Sequence, residues 1–140
     1  MTQRRDETAE EKAFGELVQL YTTGHFHEVI TRASKALEKS PESVALWNIL
    51  GVAYLALELN NEASEALKRV TVLAPDLPDG FNNLGIALKR IGLLDESIEC
   101  FQRALGLKPS YFQAQSNIGS ALYSKGLLEE AVTAQQNAIS

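Results

Sequence analysis

The chain has 140 residues, 45% of them hydrophobic, and a formal charge of −5 with an isoelectric point near 5.0. That length and apolar content suit a single domain with its own core, and the acidic balance argues against a generic binder of nucleic acid or of an anionic membrane surface. The lone cysteine, Cys100, excludes an internal disulfide, the opening MTQRRDETAEEKAF holds no apolar segment of the secretory kind, and no apolar run approaches the length of a bilayer span; a cytoplasmic chain without direct membrane insertion is expected.

Residues 1–7 are charged and lack apolar periodicity, so they are expected to form a flexible tail ahead of an array over 8–140. From there hydrophobic residues recur at helical spacing, which predicts helices near 8–23, 26–39, 43–57, 61–73, 78–91, 95–107, 111–125 and 128–140. Trp47, Leu50, Gly51 and Tyr54 show the spacing in the third helix. Ala63, Leu67, Val70 and Leu73 form the stripe of the fourth, which Pro75 ends because it has no amide hydrogen and clashes with the preceding turn. Gly24, Gly92 and Gly126 stand where a helix C-terminus calls for a left-handed residue. Glu58 takes that place in the second unit, so the turn there is expected to differ, with Asn60 adopting positive φ. Ser110 followed by Gln113 reads as a capping box for the seventh helix.

One period explains this punctuation. Pro41, Pro75 and Pro109 are spaced by 34 residues, as are Gly51, Gly85 and Gly119, and as are Ala36, Val70, Ala104 and Ala138. A constant period of this size marks an array of like units, here near 8–43, 44–77, 78–111 and 112–140, each a helical hairpin. A glycine inside a helix costs about 1 kcal/mol against alanine, so its recurrence implies that a paired helix approaches closely there.

The set Trp47, Leu50-Gly51, Tyr54, Ala63 and Pro75 resembles the tetratricopeptide repeat. The third unit repeats the likeness through Phe81, Leu84-Gly85, Phe101, Ala104 and Pro109, and the fourth through Ile118-Gly119, Gly126 and Ala131. The first keeps Gly24, Ala36 and Pro41 but has Leu17 at the mid-helix glycine and Val29 where alanine is usual, as terminal units do. The resemblance implies an all-α solenoid, a right-handed superhelix of four hairpins, that binds a protein or peptide segment and is not an enzyme. LVQLYTTGHFHEVITRASKALEKSP and FNNLGIALKRIGLLDESIECFQRALGLKPSYFQA are also similar to bacterial arrays that stand before sulfotransferase-like or O-GlcNAc-transferase-like domains. That likeness implies a substrate-recruiting arm of a larger enzyme, as an alternative to an adaptor that stands alone or self-associates. The fourth hairpin reaches Ser140 before its proline, which suggests a piece of a longer protein.

In that family the first helices of the hairpins line a concave groove. With Gly85 on the packed face, a helical wheel turns Asp79, Asn82, Asn83, Ile86 and Arg90 away from it. The period then assigns Gln113, Ser116, Asn117, Ser120 and Ser124 to the groove, with Tyr123 matching Lys89. It also assigns Asn48, Ile49, Val52, Leu55 and Ala56, and in the first unit Phe14, Val18, Tyr21 and Thr22. The apolar first-unit and second-unit members also suit self-association. Asn83 and Asn117 stand one period apart, resembling the asparagine ladder that holds peptide backbones in O-GlcNAc-transferase repeats; they serve either so or by satisfying local groups. Lys89 and Arg90 either meet an acidic ligand or sit as solvated cations favoured by a helix C-terminus. His25 and His27 lack further ligands for a metal, Cys100 lacks a histidine partner in its repeat, and no cofactor or metal is expected.

Overall fold

The computed structural model describes residues 8–139, so the tail expected at 1–7 lies outside the described residues. The chain forms α1 (Ala9–Thr22), α2 (Phe26–Lys39), α3 (Val44–Ala56), α4 (Asn60–Leu73), α5 (Pro78–Ile91), α6 (Leu94–Leu107) and α7 (Phe112–Ile139), and no strand occurs among the described residues. Helices α1 to α6 pair as three hairpins, and each first helix also touches the first helix of the next unit, α1 to α3, α3 to α5 and α5 to α7. This is an all-α solenoid.

Each hairpin closes on a matched pair of volumes. A Cβ placed on Gly51 would lie 2.6 Å from Leu67, and one on Gly85 would lie 2.5 Å from the Phe101 ring, so both glycines are required by close approach. The same approach lets the buried Ser97 hydroxyl donate to the Gly85 carbonyl at 2.7 Å. In the first hairpin the volumes are exchanged: Leu17 stands at the glycine place and Ala33 at the place of Leu67 and Phe101, and both belong to one core cluster. Around these contacts Val29, Ala53, Ala63, Val70 and Ala104 are wholly buried. Burial of such side chains contributes roughly 1.5–3 kcal/mol each for the larger ones.

Smaller anchors repeat as well. The Trp47 indole donates to the Pro41 carbonyl at 2.7 Å, and Gln115 reaches the Pro109 carbonyl from the equivalent place at 3.4 Å. Arg69 lies over the Trp47 ring at 5.9 Å and Arg103, one period on, over Phe81 at 5.7 Å.

Three turns share one geometry. The amides of His25, Leu59 and Leu93 donate five residues back, to Leu20, Tyr54 and Leu88, at 2.8, 2.9 and 2.9 Å, which closes each first helix as a Schellman motif. The residue before each has positive φ: Gly24 at 82°, Glu58 at 58° and Gly92 at 95°. The second turn therefore does not differ as expected, and Asn60 instead begins α4. Tertiary pairing of α3 with α4 overrides the reluctance of Glu58 to be left-handed.

Two expectations need correction at the C-terminal end. The fourth hairpin does not form: α7 runs unbroken for 28 residues through Gly126, in place of two helices at 111–125 and 128–140. The physical reason lies in position 135, where the period calls for the counterpart of Leu67 and Phe101 and the chain has glutamine. Folding back would bury an amide against Gly119, at a cost of about 1–3 kcal/mol if unpaired, whereas continuing keeps the local helical hydrogen bonds. The seventh helix also starts without the expected capping box, since the Tyr111 carbonyl takes the Gln115 amide at 3.2 Å and places Tyr111 at its N-cap.

Replacing Glu58 by glycine removes the left-handed strain while keeping the turn. Glu58→Gly is expected to raise the unfolding free energy by about 1 kcal/mol, measured by urea denaturation.

Candidate functional site

The first helices α1, α3, α5 and α7 carry one residue each, at the period of the repeat, in a row that stays at least partly exposed: Val18, 41% exposed, then half-buried Val52 and Ile86, then exposed Ser120. Gln113, Ser116 and Tyr123 on α7 are exposed too. Other expected members do different work. Leu55 is buried in a core cluster with Leu67 and Leu84, and Asn82, only 2% exposed, points inward. Both leave the ligand-facing set. Ile49 is buried likewise.

The asparagines link neighbouring helices. Asn83 donates from Nδ2 to Asn48 Oδ1 at 3.5 Å, and Asn117 donates from Nδ2 to Asn82 Oδ1 at 3.1 Å. Each bond thus joins residues 35 apart, one more than the repeat, because adjacent first helices pack with that offset. The amides hold register between repeats rather than standing free as a ladder. Each still retains a second N–H and lone pairs. Beside Asn82, the Tyr111 phenol is pushed up to about 12, by burial first and then by the neighbouring Asp79 carboxylate, while the Asn82 amide opposes.

The two cations are engaged as well. Arg90 Nη1 donates to the Leu55 carbonyl at 2.9 Å and to Asn60 Oδ1 at 3.5 Å. Since the Glu58 amide donates to that same carbonyl at 3.0 Å, Arg90 braces the strained turn of the preceding unit. Lys89 donates to the Ser120 hydroxyl on α7.

One feature near the site escaped the sequence reading. An apolar pocket of about 420 Å³ lies among α1, α2 and α3, lined by Phe14, Leu17, Ala36 and Leu46 with Glu10, Glu11 and Lys39. Leu17, the departure from glycine in the first unit, is among its lining residues. Cys100 is half-buried with its thiol pushed up to about 11, by burial first and then by Glu99 and Glu96, which opposes thiolate formation. No group of His, Cys, Asp or Glu able to hold a metal ion occurs among the described residues, and no helix among them is long and apolar enough to cross a membrane.

The tetratricopeptide repeat matches over residues 19–78 and again over 78–111. The chain belongs to the tetratricopeptide repeat family. This repeat array is similar to the crystal structure of MamA, at 27% identity and a TM-score of 0.79 over 88% of this chain and 72% of that one. It is similar in fold to the first repeat domain of Spaghetti (RPAP3) bound to the HSP90 peptide SRMEEVD, at 18% identity and a TM-score of 0.78 over 81% of this chain and 90% of that one. A third likeness is to the Thermobaculum terrenum O-GlcNAc transferase, at 22% identity and a TM-score of 0.74, where 84% of this chain covers 23% of that one. No curated protein matches the array in sequence.

The neutral phenol of Tyr111 belongs to the folded array, and the unfolded chain ionises first, near the ordinary value of 10.0. Its contribution is therefore complete below pH 10 and falls away as pH rises towards about 12. In a Cys100→Ala background, Tyr111→Phe is expected to flatten the loss of stability over that range, measured by urea denaturation at stepped pH.

Proposed function

We propose that this array is a non-catalytic scaffold that binds a segment of another protein along its first helices, in a cytoplasmic setting that suits the lone reduced cysteine. The observation that carries the reading is the partly exposed row Val18, Val52, Ile86 and Ser120, one residue from each first helix. Its partners in contact would be Val52 and Ile86 for apolar side chains, and Gln113, Ser116 and Tyr123 for polar groups of an extended or helical segment. Asn48, Asn83 and Asn117 supply their remaining amide valences. The fold likeness to a repeat domain bound to the HSP90 peptide SRMEEVD supports this class of ligand.

The alternative, a substrate-recruiting arm of a transferase, would draw on asparagine amides free to grip a backbone. Asn83 and Asn117 already donate across to Asn48 and Asn82, so the general scaffold is the better fit. Specificity from Lys89 and Arg90 for acidic ligands is weaker still, because both donate within the array.

The test is binding of peptides selected from a displayed library, measured by fluorescence anisotropy. Ile86→Glu should weaken them by about tenfold or more while Lys68→Glu, on α4, leaves them unchanged. Equal affinities for all three proteins would remove the first-helix face as the site.

A further inference from the structure

Helix α7 presents half of a hairpin with nothing seated on it among the described residues. Gly51 receives Leu67 and Gly85 receives Phe101, yet Gly119, next in the same series, has no atom within 4 Å of where its Cβ would stand. Leu122 is 52% exposed although its counterpart one period earlier, Leu88, is 2% exposed. Phe112, seven residues before Gly119 on the same helical stripe, is 73% exposed. The opposite side of α7 is satisfied: Ala114 and Ala121 are wholly buried, and Lys125 pairs with Asp95 of α6 at 2.8 Å. The bare side is therefore not a frayed end but a formed face lacking its complement.

We propose that this face takes an amphipathic helix from another polypeptide, running antiparallel to α7 and seating a leucine or phenylalanine on Gly119. The face is continuous with interfaces the array already builds twice, α4 on α3 and α6 on α5, and those helices define the occupant. Leu67 and Phe101 are each preceded four residues earlier by a small side chain, Ala63 and Ser97, that lies against the first helix. The partner helix carries the same two features, a large apolar residue and a small one four positions before it. Residues 128–140 are a poor occupant, since position 135 offers glutamine where the large apolar residue belongs. This site adjoins the row ending at Ser120 but does not share it, and it calls for a large apolar side chain seated on Gly119, which that row does not.

The probe is a labelled peptide copying residues 93–108 of this chain, the α6 sequence, titrated into the whole protein and read by fluorescence anisotropy. Saturable binding at one peptide per chain is expected. Gly119→Leu, which keeps its helical circular dichroism because the space at Gly119 is open, should weaken it by about tenfold or more, as should Phe101→Ala within the peptide. Absence of saturable binding, or equal affinity for Gly119→Leu, overturns the proposal. Two other results overturn it by naming a different occupant. A dimer of the protein alone that Gly119→Leu dissolves gives the face to a second copy, and a disulfide closed within one chain by Gly119→Cys with Gln135→Cys gives it to the chain's own end.

Discussion

Two helices can lie close along their length only where one gives up a side chain and the other fills the space, and every hairpin of this array depends on that exchange. Gly51 takes Leu67 and Gly85 takes the Phe101 ring. Leu17 and Ala33 reverse the roles, with the large side chain on the first helix and the small one on the second. The rest follows from the approach so set: the Ser97 hydroxyl reaches the Gly85 carbonyl, and the turns between paired helices tighten into one left-handed form even where the residue is Glu58. Interiors packed to this density tolerate little change of volume, which explains why the pairing persists when the residue types are exchanged. It also explains why the pairing lapses at Gly119, for which the period offers Gln135 as the complement.

Much of this was legible in the residues. The period of 34 placed the glycines and prolines and, with helical spacing, located six helices to within two residues at either end. Three features were not. Gly126 looked like the hinge glycines Gly24 and Gly92, but a glycine permits a turn without imposing one, and the decision rested on a partner residue nine positions later. Glu58 at 58° runs against its own propensity, so only the tertiary pairing of α3 and α4 reveals it. Asn82 sat on the outward side of a helical wheel, yet a wheel drawn for one helix omits the next repeat. The Asn117 amide arrives from there and buries Asn82.

That last displacement shapes the functional reading. Side chains that seemed free for a ligand, Asn82, Asn83, Lys89 and Arg90, instead tie one repeat to another. They fix the spacing of the first helices, and so the spacing of Val18, Val52, Ile86 and Ser120. In the function proposed above, recognition rests less on charge than on a preset row of apolar and hydroxyl groups, whose ordering cost is met in folding rather than in binding. Sequence-tolerant capture of a peptide suits such a surface, while the bare side of α7 suits a helix of defined pattern.

The central claim, that Gly51 and Gly85 are required because a side chain of the paired helix occupies the space their Cβ would take, is tested most directly by the same substitution at two equivalent places. In Gly85→Ala the new Cβ must displace the Phe101 ring, which predicts a loss of about 1–3 kcal/mol in unfolding free energy. In Gly119→Ala the Cβ enters open space, which predicts a gain of about 1 kcal/mol from helix propensity. Equilibrium unfolding of the two variants that gives opposite signs supports the account; changes of the same sign and similar size contradict it.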